Sequence, residues 1–272
     1  MELKRPLPPN RSLEQISNHY LVEKAIAQRL RQANREERQL LYATMYDDLF
    51  RQVPDHPRIT RREDHRSTVR QNETKLSLVS RFLDKSKVFA EFGPGDCRFA
   101  IEVAKFTHQV YGIDISDQRG KYELPDNFEL ILYDGFNIEL EENSIDIVFS
   151  DQLIEHLHPE DAKNHFELVR RTLKKGGTYV FRTPHLFTGP HDISRYFSDE
   201  PEGFHLKEWT YREMKRTLKE VGYSATYFCR NRSRMPYIYL AICERFLGLF
   251  PKQSIRSIAR RFTPSIRGVA VK

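Results

Sequence analysis

Between Lys87 and Arg182 short apolar runs alternate with stretches of helical length, and few folds accept that pattern. Val88–Phe92, Gln109–Asp114, Phe128–Leu132, Ile145–Ser150 and Gly177–Arg182 read as strands, rich in β-branched and aromatic side chains and bounded by turn residues. Helical stretches fill the room between most pairs. Strands joined by crossover helices lie parallel in a sheet covered on both faces. Ser224–Phe228 and Gly268–Val271 add two more strands, separated by far more chain than a hairpin loop needs. The prediction is an α/β fold: a doubly wound, mostly parallel seven-stranded sheet with helices on both faces and an antiparallel last strand.

Ahead of the sheet, Leu21, Ala25, Ile26 and Leu30 recur at helical spacing, and Leu40, Leu41, Met45 and Leu49 do so again. Pro54 and Pro57 close that region. A basic connector with Arg58, Arg61, Arg62, Arg66 and Arg70 follows, then a helix over Leu76–Leu83. This gives an N-terminal helical extension and connector, 1–74, and a main domain, 75–272, with a helical insert at about 231–264.

Whole-chain properties exclude more than they assign. No run of about 18 uncharged apolar residues occurs, so no spanning helix is expected. Met1–Pro6 lacks the apolar core of a secretory signal. The three cysteines, Cys97, Cys229 and Cys243, make neither a disulfide framework nor a zinc spacing, which fits a cytoplasmic protein. A net charge of +6 is mild, the mark of a solvated basic face, though it admits an anionic substrate or membrane surface.

The chemistry begins at Glu91-Phe92-Gly93-Pro94-Gly95, where a strand delivers an acid to its C-terminal edge and a glycine turn opens a helix. Open α/β sheets bind ligands at that edge. A dinucleotide loop wants a third glycine three positions after Gly95, and Arg98 stands there. The loop is therefore a poor pyrophosphate cradle, and the neighbouring carboxylate suits a cationic group instead. Asp114 ends the second strand 19 positions after Gly95, where an acid can accept ribose hydroxyls. Asp134 follows the third strand, and Asp151-Gln152 ends the fourth. One such acid reads as a cap or turn residue; four at successive strand ends do not.

These residues resemble the class I (Rossmann-like) methyltransferases that use S-adenosylmethionine. Glu91–Gly95 looks like their first motif, and Asp114, Asp134 and Asp151-Gln152 match the motifs that follow. Glu155-His156-Leu157 and Leu173-Lys174-Lys175-Gly176-Gly177 are similar to the ubiquinone-biosynthesis-like branch, with Lys175 in place of the usual proline. The resemblance covers about Lys87 to Tyr227. It implies that Glu91, Phe92, Gly93, Pro94 and Gly95 hold the methionine part. It likewise implies that Asp114 and Ile115 hold the ribose, that Asp134, Gly135 and Phe136 hold the adenine, and that Asp151 and Gln152 border the sulfonium and acceptor.

The segment from Thr183 to Phe197 leaves the fifth strand on the side where this fold places the acceptor. A hydroxyl or amine acceptor has to lose a proton, and histidine is the natural base near neutral pH. His191 and His185 are the first candidates and His156 the third; each also reads as a loop-ordering or packing residue. Glu155, His156, His158 and Asp161 form a solvated helix start, and no metal is predicted. The expected acceptor is a small molecule, such as a sugar or lipid-linked sugar. Residues 235–261, aromatic and apolar with a basic flank, are a candidate membrane contact. No Asn-Pro-Pro-Tyr-like signature follows the fourth strand, so nucleic acid is not expected as substrate. The competing readings are a nicotinamide-dependent oxidoreductase and a non-catalytic binding protein on the same fold.

Overall fold

A computed structural model describes every residue except 61–64, 121–122, 231–232 and 264. Two long helices open the chain, α1 (Leu13–Gln32) and α2 (Arg35–Gln52). Each starts with a capping box, Ser12 with Gln15 and Asn34 with Glu37, so the cap amide and the amide three residues on are bonded by side chains in both. Pro57 begins a short helix, α3 (Pro57–Thr60), because a proline's missing N–H costs nothing at a first helical position. Of the basic connector, Arg61 and Arg62 lie outside the described residues. Helix α4 (His65–Val79) starts earlier than the apolar pattern indicated and runs unbroken across residue 74.

The sheet then builds in the expected order: β1 (Val88–Phe92), α5 (Arg98–Ala104), β2 (Gln109–Asp114), β3 (Phe128–Leu132), β4 (Ile145–Asp151), α6 (Pro159–Thr172), β5 (Leu173–Thr183) and α7 (Tyr211–Val221). After it come β6 (Ala225–Arg230), β7 (Ser233–Met235), α8 (Tyr237–Leu247), α9 (Lys252–Phe262) and β8 (Ile266–Val271). The strand order is β3-β2-β1-β4-β5-β8-β6-β7. β1 to β5 are parallel, and β8 inserts antiparallel between β5 and β6. The sheet has eight strands rather than seven because the three-residue β7 folds back on β6. Three residues are too few to show an alternating pattern, so β7 had no signal in the sequence.

β5 also starts at Leu173 rather than Gly177. Ile145 pairs with Leu173 and Ile147 with Thr178, so the Lys174–Gly177 run bulges out of the ladder, with Gly176 at φ +77°. A turn and a bulge use the same residues, and the sequence pattern does not separate them.

Two apolar layers cover the sheet. Phe166, Val169, Met214 and Leu218 of α6 and α7 pack on one face with Tyr179 and Phe181. Val79, Phe99 and Val103 of α4 and α5 pack on the other with Phe89 and Phe149. A third cluster joins Ile26, Leu30, Tyr42, Met45 and Leu49 of α1 and α2 to Phe204 and Leu206, with Ile115 and Phe136 beside it. The N-terminal extension thus roofs the loops at the C-terminal ends of the strands. It is fastened there by Arg38, whose Nε and Nη2 donate to the buried Asp161 at 2.7 and 2.8 Å, and by the Tyr42 hydroxyl on the same carboxylate. Strand order reverses between β1 and β4, which puts the ligand crevice of such a sheet beside the ends of those two strands.

Candidate active site

At the end of β1 the chain turns through Gly93-Pro94-Gly95 with both glycines left-handed, at φ +68° and +58°. A Cβ on Gly93 would meet Leu153 at 3.2 Å, whereas one on Gly95 would meet nothing within 4 Å. The open ground beside this loop therefore lies at Gly95.

Glu91, fully buried in β1, accepts from Lys75 Nζ at 3.0 Å through Oε1, and its Oε2 has no partner among the described residues. Burial pushes this carboxyl up to about 7, with Lys75 pulling the other way. Burial disfavours the Lys75 charge, but Glu91 and Asp151 outweigh that and raise it. Lys75 belongs to α4 and was not foreseen: its partner lies 16 residues away in another element, and such a pairing leaves no periodic trace.

Asp114, at the end of β2, meets the glycine turn. Its Oδ2 accepts from the Gly95 amide at 3.2 Å and its Oδ1 from the Ile115 amide at 2.8 Å, while burial raises its pKa. Asp151 ends β4 and receives two bonds from Arg182, at 2.6 and 2.8 Å. Gln152 follows with φ +56°.

Other predicted positions lie elsewhere. Asp134 Oδ1 accepts from the amides of Phe136 and Asn137, and its Oδ2 from Asn137 Nδ2 and from Gln39 Nε2 of α2. The acid caps its own turn beneath the extension. Phe136 lies under Arg35 at 4.7 Å, a Cβ on Gly135 would touch Tyr42, and Ile115 joins the same roof cluster. Phe92 turns into the core against Tyr133 and His165. The cause is common to Ile115, Asp134, Gly135 and Phe136: α2 packs over the loops that carry them.

A cavity of about 760 Å³ runs from Gly93–Gly95 past Asp151, Gln152 and His156 to His191 and Arg195. The extension closes its far side with Arg11, His19, His56 and Arg58. A smaller cavity, about 250 Å³ beside Ser77, Arg81 and Gly268, is away from the strand ends.

The three candidate histidines separate clearly. His185 is wholly buried outside the cavity lining, with Nε2 on Glu244 at 2.7 Å and Nδ1 accepting from the Phe187 amide. Both nitrogens are committed, so it orders the loop. His191 lines the cavity, with Nε2 on Thr188 Oγ1 at 2.7 Å. Burial lowers its pKa, although its side chain keeps an exposed edge at the cavity surface. His156 lines the cavity too. Its Nδ1 meets the Phe204 carbonyl at 3.0 Å and must donate to it, which leaves the Nε2 lone pair without a partner among the described residues. Burial, then the charge of His205, lowers its pKa well below the usual histidine value, so it stays neutral. His205, another residue the sequence did not single out, donates from Nδ1 to Glu208 at 2.9 Å. Burial opposes its charge, but Glu208, Glu155 and Asp192 raise it to about 9.

Two clusters have metal-like composition: His19, Glu23 and His56, and Glu155, His156 and His205. In the first, His19 Nδ1 faces Arg11, a donor only, and His56 Nδ1 accepts from the Arg58 amide. Both Nε2 atoms therefore carry hydrogen and point at Glu23, with no lone pair to offer an ion. In the second, His205 is held as an imidazolium by Glu208, Glu155 and Asp192, with its Nδ1 on Glu208, and offers no lone pair.

Residues 90–181 match the methyltransferase domain family. Phosphoethanolamine N-methyltransferase 1 of Zea mays is 30% identical over 134 residues, which is 45% of this chain and 25% of that protein. The chain thus spans about a quarter of the length of this curated relative. Among solved structures, the methyltransferase in complex with its Haloferax volcanii activator superposes with a TM-score of 0.53 at 14% identity, over 78% of this chain and 96% of that one. Phosphoethanolamine N-methyltransferase 2 of Haemonchus contortus, bound to S-adenosylmethionine, gives 0.51 at 20% identity, over 74% of this chain and 52% of that one. The likeness is one of fold. Residues 90–181 are thus similar to a methyltransferase domain, and the fold is similar to that of these two solved methyltransferases.

Proposed function

We propose that this protein transfers the methyl group of S-adenosylmethionine to a small acceptor that bears an anionic group. The observation that carries the cofactor is Glu91: a buried carboxylate at a strand end whose Oε2 has no partner among the described residues, beside open ground at Gly95. The amino-acid end of the cofactor is a zwitterion, and Glu91 with Lys75 is its complement. Glu91 would take the ammonium and Lys75 the carboxylate. The Asp114 carboxylate accepts from the backbone N–H groups of Gly95, Ile115 and Ser116, and its remaining lone-pair capacity would take a ribose hydroxyl. Asp151 and Gln152 would border the sulfonium. When bound, the cofactor supplies a methyl group already activated on a positively charged sulfur.

The protein's own part is then to align the acceptor, exclude water and take up a proton. His156 Nε2 is the best-placed base, since its tautomer is fixed and its lone pair is free. His191 is the runner-up. On the far wall, Arg58 stacks on Tyr46 at 5.0 Å and Arg195 on Tyr196 at 5.0 Å. Neither has a carboxylate within 4.0 Å among the described residues, whereas Arg11 is held by Asp55 and Arg98 by Asp96. Two arginines without acids suit a phosphate or carboxylate on the acceptor. A phosphorylated sugar or a lipid-linked sugar phosphate meets that description, as does the phosphoethanolamine for which the maize relative is named. A nicotinamide dinucleotide fits poorly, because Asp96 follows the second glycine and would face the pyrophosphate.

Incubation with radiolabelled S-adenosylmethionine and matched phosphorylated and unphosphorylated acceptors tests this reading. Label is expected in the phosphorylated members, and the Arg58→Gln/Arg195→Gln variant should raise KM by about tenfold or more. Methylation of neutral acceptors alone, with the arginine variant unaffected, would remove the anionic group from the proposal.

A further inference from the structure

The α8–α9 hairpin hides one face and leaves the other bare. Leu240, Glu244 and Leu247 of α8 turn inward, and Ile255 and Ala259 of α9 pack with Leu247 against Phe187. On the outside, Ile238, Ile242 and Phe246 recur every four residues along α8 and are 73%, 62% and 59% exposed. Leu249, 74% exposed, and Phe250 continue the run beyond the helix, and Ile258 and Phe262 lie exposed on α9. Isolated exposed apolar residues need no explanation, but an ordered stripe of this kind marks a contact surface.

The charges on the hairpin say what would cover it. Its single acid, Glu244, is buried on the amides of Tyr211 and Arg212 and on His185. All its exposed charges are cationic. Lys252 and Arg256 are tied to Glu200 and Asp199, while Arg245, Arg260 and Arg261 have no carboxylate within 4.0 Å among the described residues. Arg245 follows Ile242 by three positions and Ile238 by seven, so it shares the apolar stripe. A second copy packed symmetrically on this face would set arginine against arginine with no acid between them. A helix of 11 residues is too short to cross a bilayer, and no helix among the described residues is long and apolar enough to do so.

We propose that the outer face of α8, with the 248–250 turn, docks on the surface of an anionic lipid bilayer. The isoleucine and phenylalanine side chains enter the headgroup boundary and Arg245, Arg260 and Arg261 meet lipid phosphates. This docking does not depend on the methyl-transfer reading.

Sedimentation of the whole protein with vesicles of phosphatidylcholine, with and without phosphatidylglycerol, tests it. Binding is expected to the anionic vesicles and to weaken with salt. The variant Ile242→Ser/Phe246→Ser/Leu249→Ser alters only exposed side chains and should reduce binding at least about tenfold with an unchanged circular dichroism spectrum. Arg245→Gln/Arg260→Gln/Arg261→Gln should abolish the preference for anionic vesicles. Light scattering covers the alternative occupant. No sedimentation with anionic vesicles, or a dimer in solution that the serine variant dissolves, would overturn the proposal.

Discussion

In the proposed cofactor site, Glu91 would make binding a function of pH. Its folded-state pKa of about 7 lies above that of a free carboxyl, so the group is protonated below that value and charged above it. A ligand that needs the charge binds more tightly as pH rises through 7. Affinity for S-adenosylhomocysteine is expected to fall by up to about tenfold per pH unit below 7, and Glu91→Gln should flatten that slope. An identical slope in wild type and variant would show that another group titrates. On the acceptor side, His156→Ala is expected to lower turnover by about 10²–10⁴-fold with cofactor affinity unchanged, and His191→Ala to cost less. Turnover that survives His156→Ala but not His191→Ala would exchange their roles. The acids at strand ends were legible in the sequence because each is fixed by its distance from a strand. Lys75, His205 and the arginines without acids were not, because their meaning comes from neighbours that only the folded chain brings near or withholds. His185 shows the reverse: beside Gly189-Pro190-His191 in sequence, it faces Glu244 of α8 and leaves the cavity.

Among the elements, the strands and helix caps were legible and the docking of α2 was not. The Ser12–Gln15, Asn34–Glu37 and Thr210–Glu213 boxes are local, and each marks its helix start. What α2 covers depends on Arg38, a residue that reads as surface until Asp161 is placed beside it. Removing that guanidinium leaves a buried carboxylate uncompensated, so Arg38→Met should destabilise the fold by about 3–5 kcal/mol, measured by denaturant unfolding. A loss below about 1 kcal/mol would mean that the extension is held by its apolar cluster alone. The same docking explains why Asp134 is occupied by its own turn and by Gln39: a roof helix is invisible to motif spacing, which counts along the chain and not across it.

At the scale of the whole molecule, sheet, roof and hairpin divide the work. The parallel sheet brings Glu91, Asp114 and Asp151 to one edge, the extension encloses that edge with a basic wall, and the α8–α9 hairpin carries the outward apolar face. The alternation of strands and helices sufficed for the five parallel strands of the sheet. The joining of its edge to residues 11–58 is a long-range packing result that no local pattern encodes. Everything proposed for the cavity rests on its taking S-adenosylmethionine, and calorimetric titration of the purified protein with S-adenosylhomocysteine, with NAD in parallel, measures that directly. We expect one site per chain for S-adenosylhomocysteine, weakened by about 1–3 kcal/mol in Asp114→Ala, and no heat from NAD. Folded protein that takes up no S-adenosylhomocysteine, or that binds NAD in its place, would contradict it.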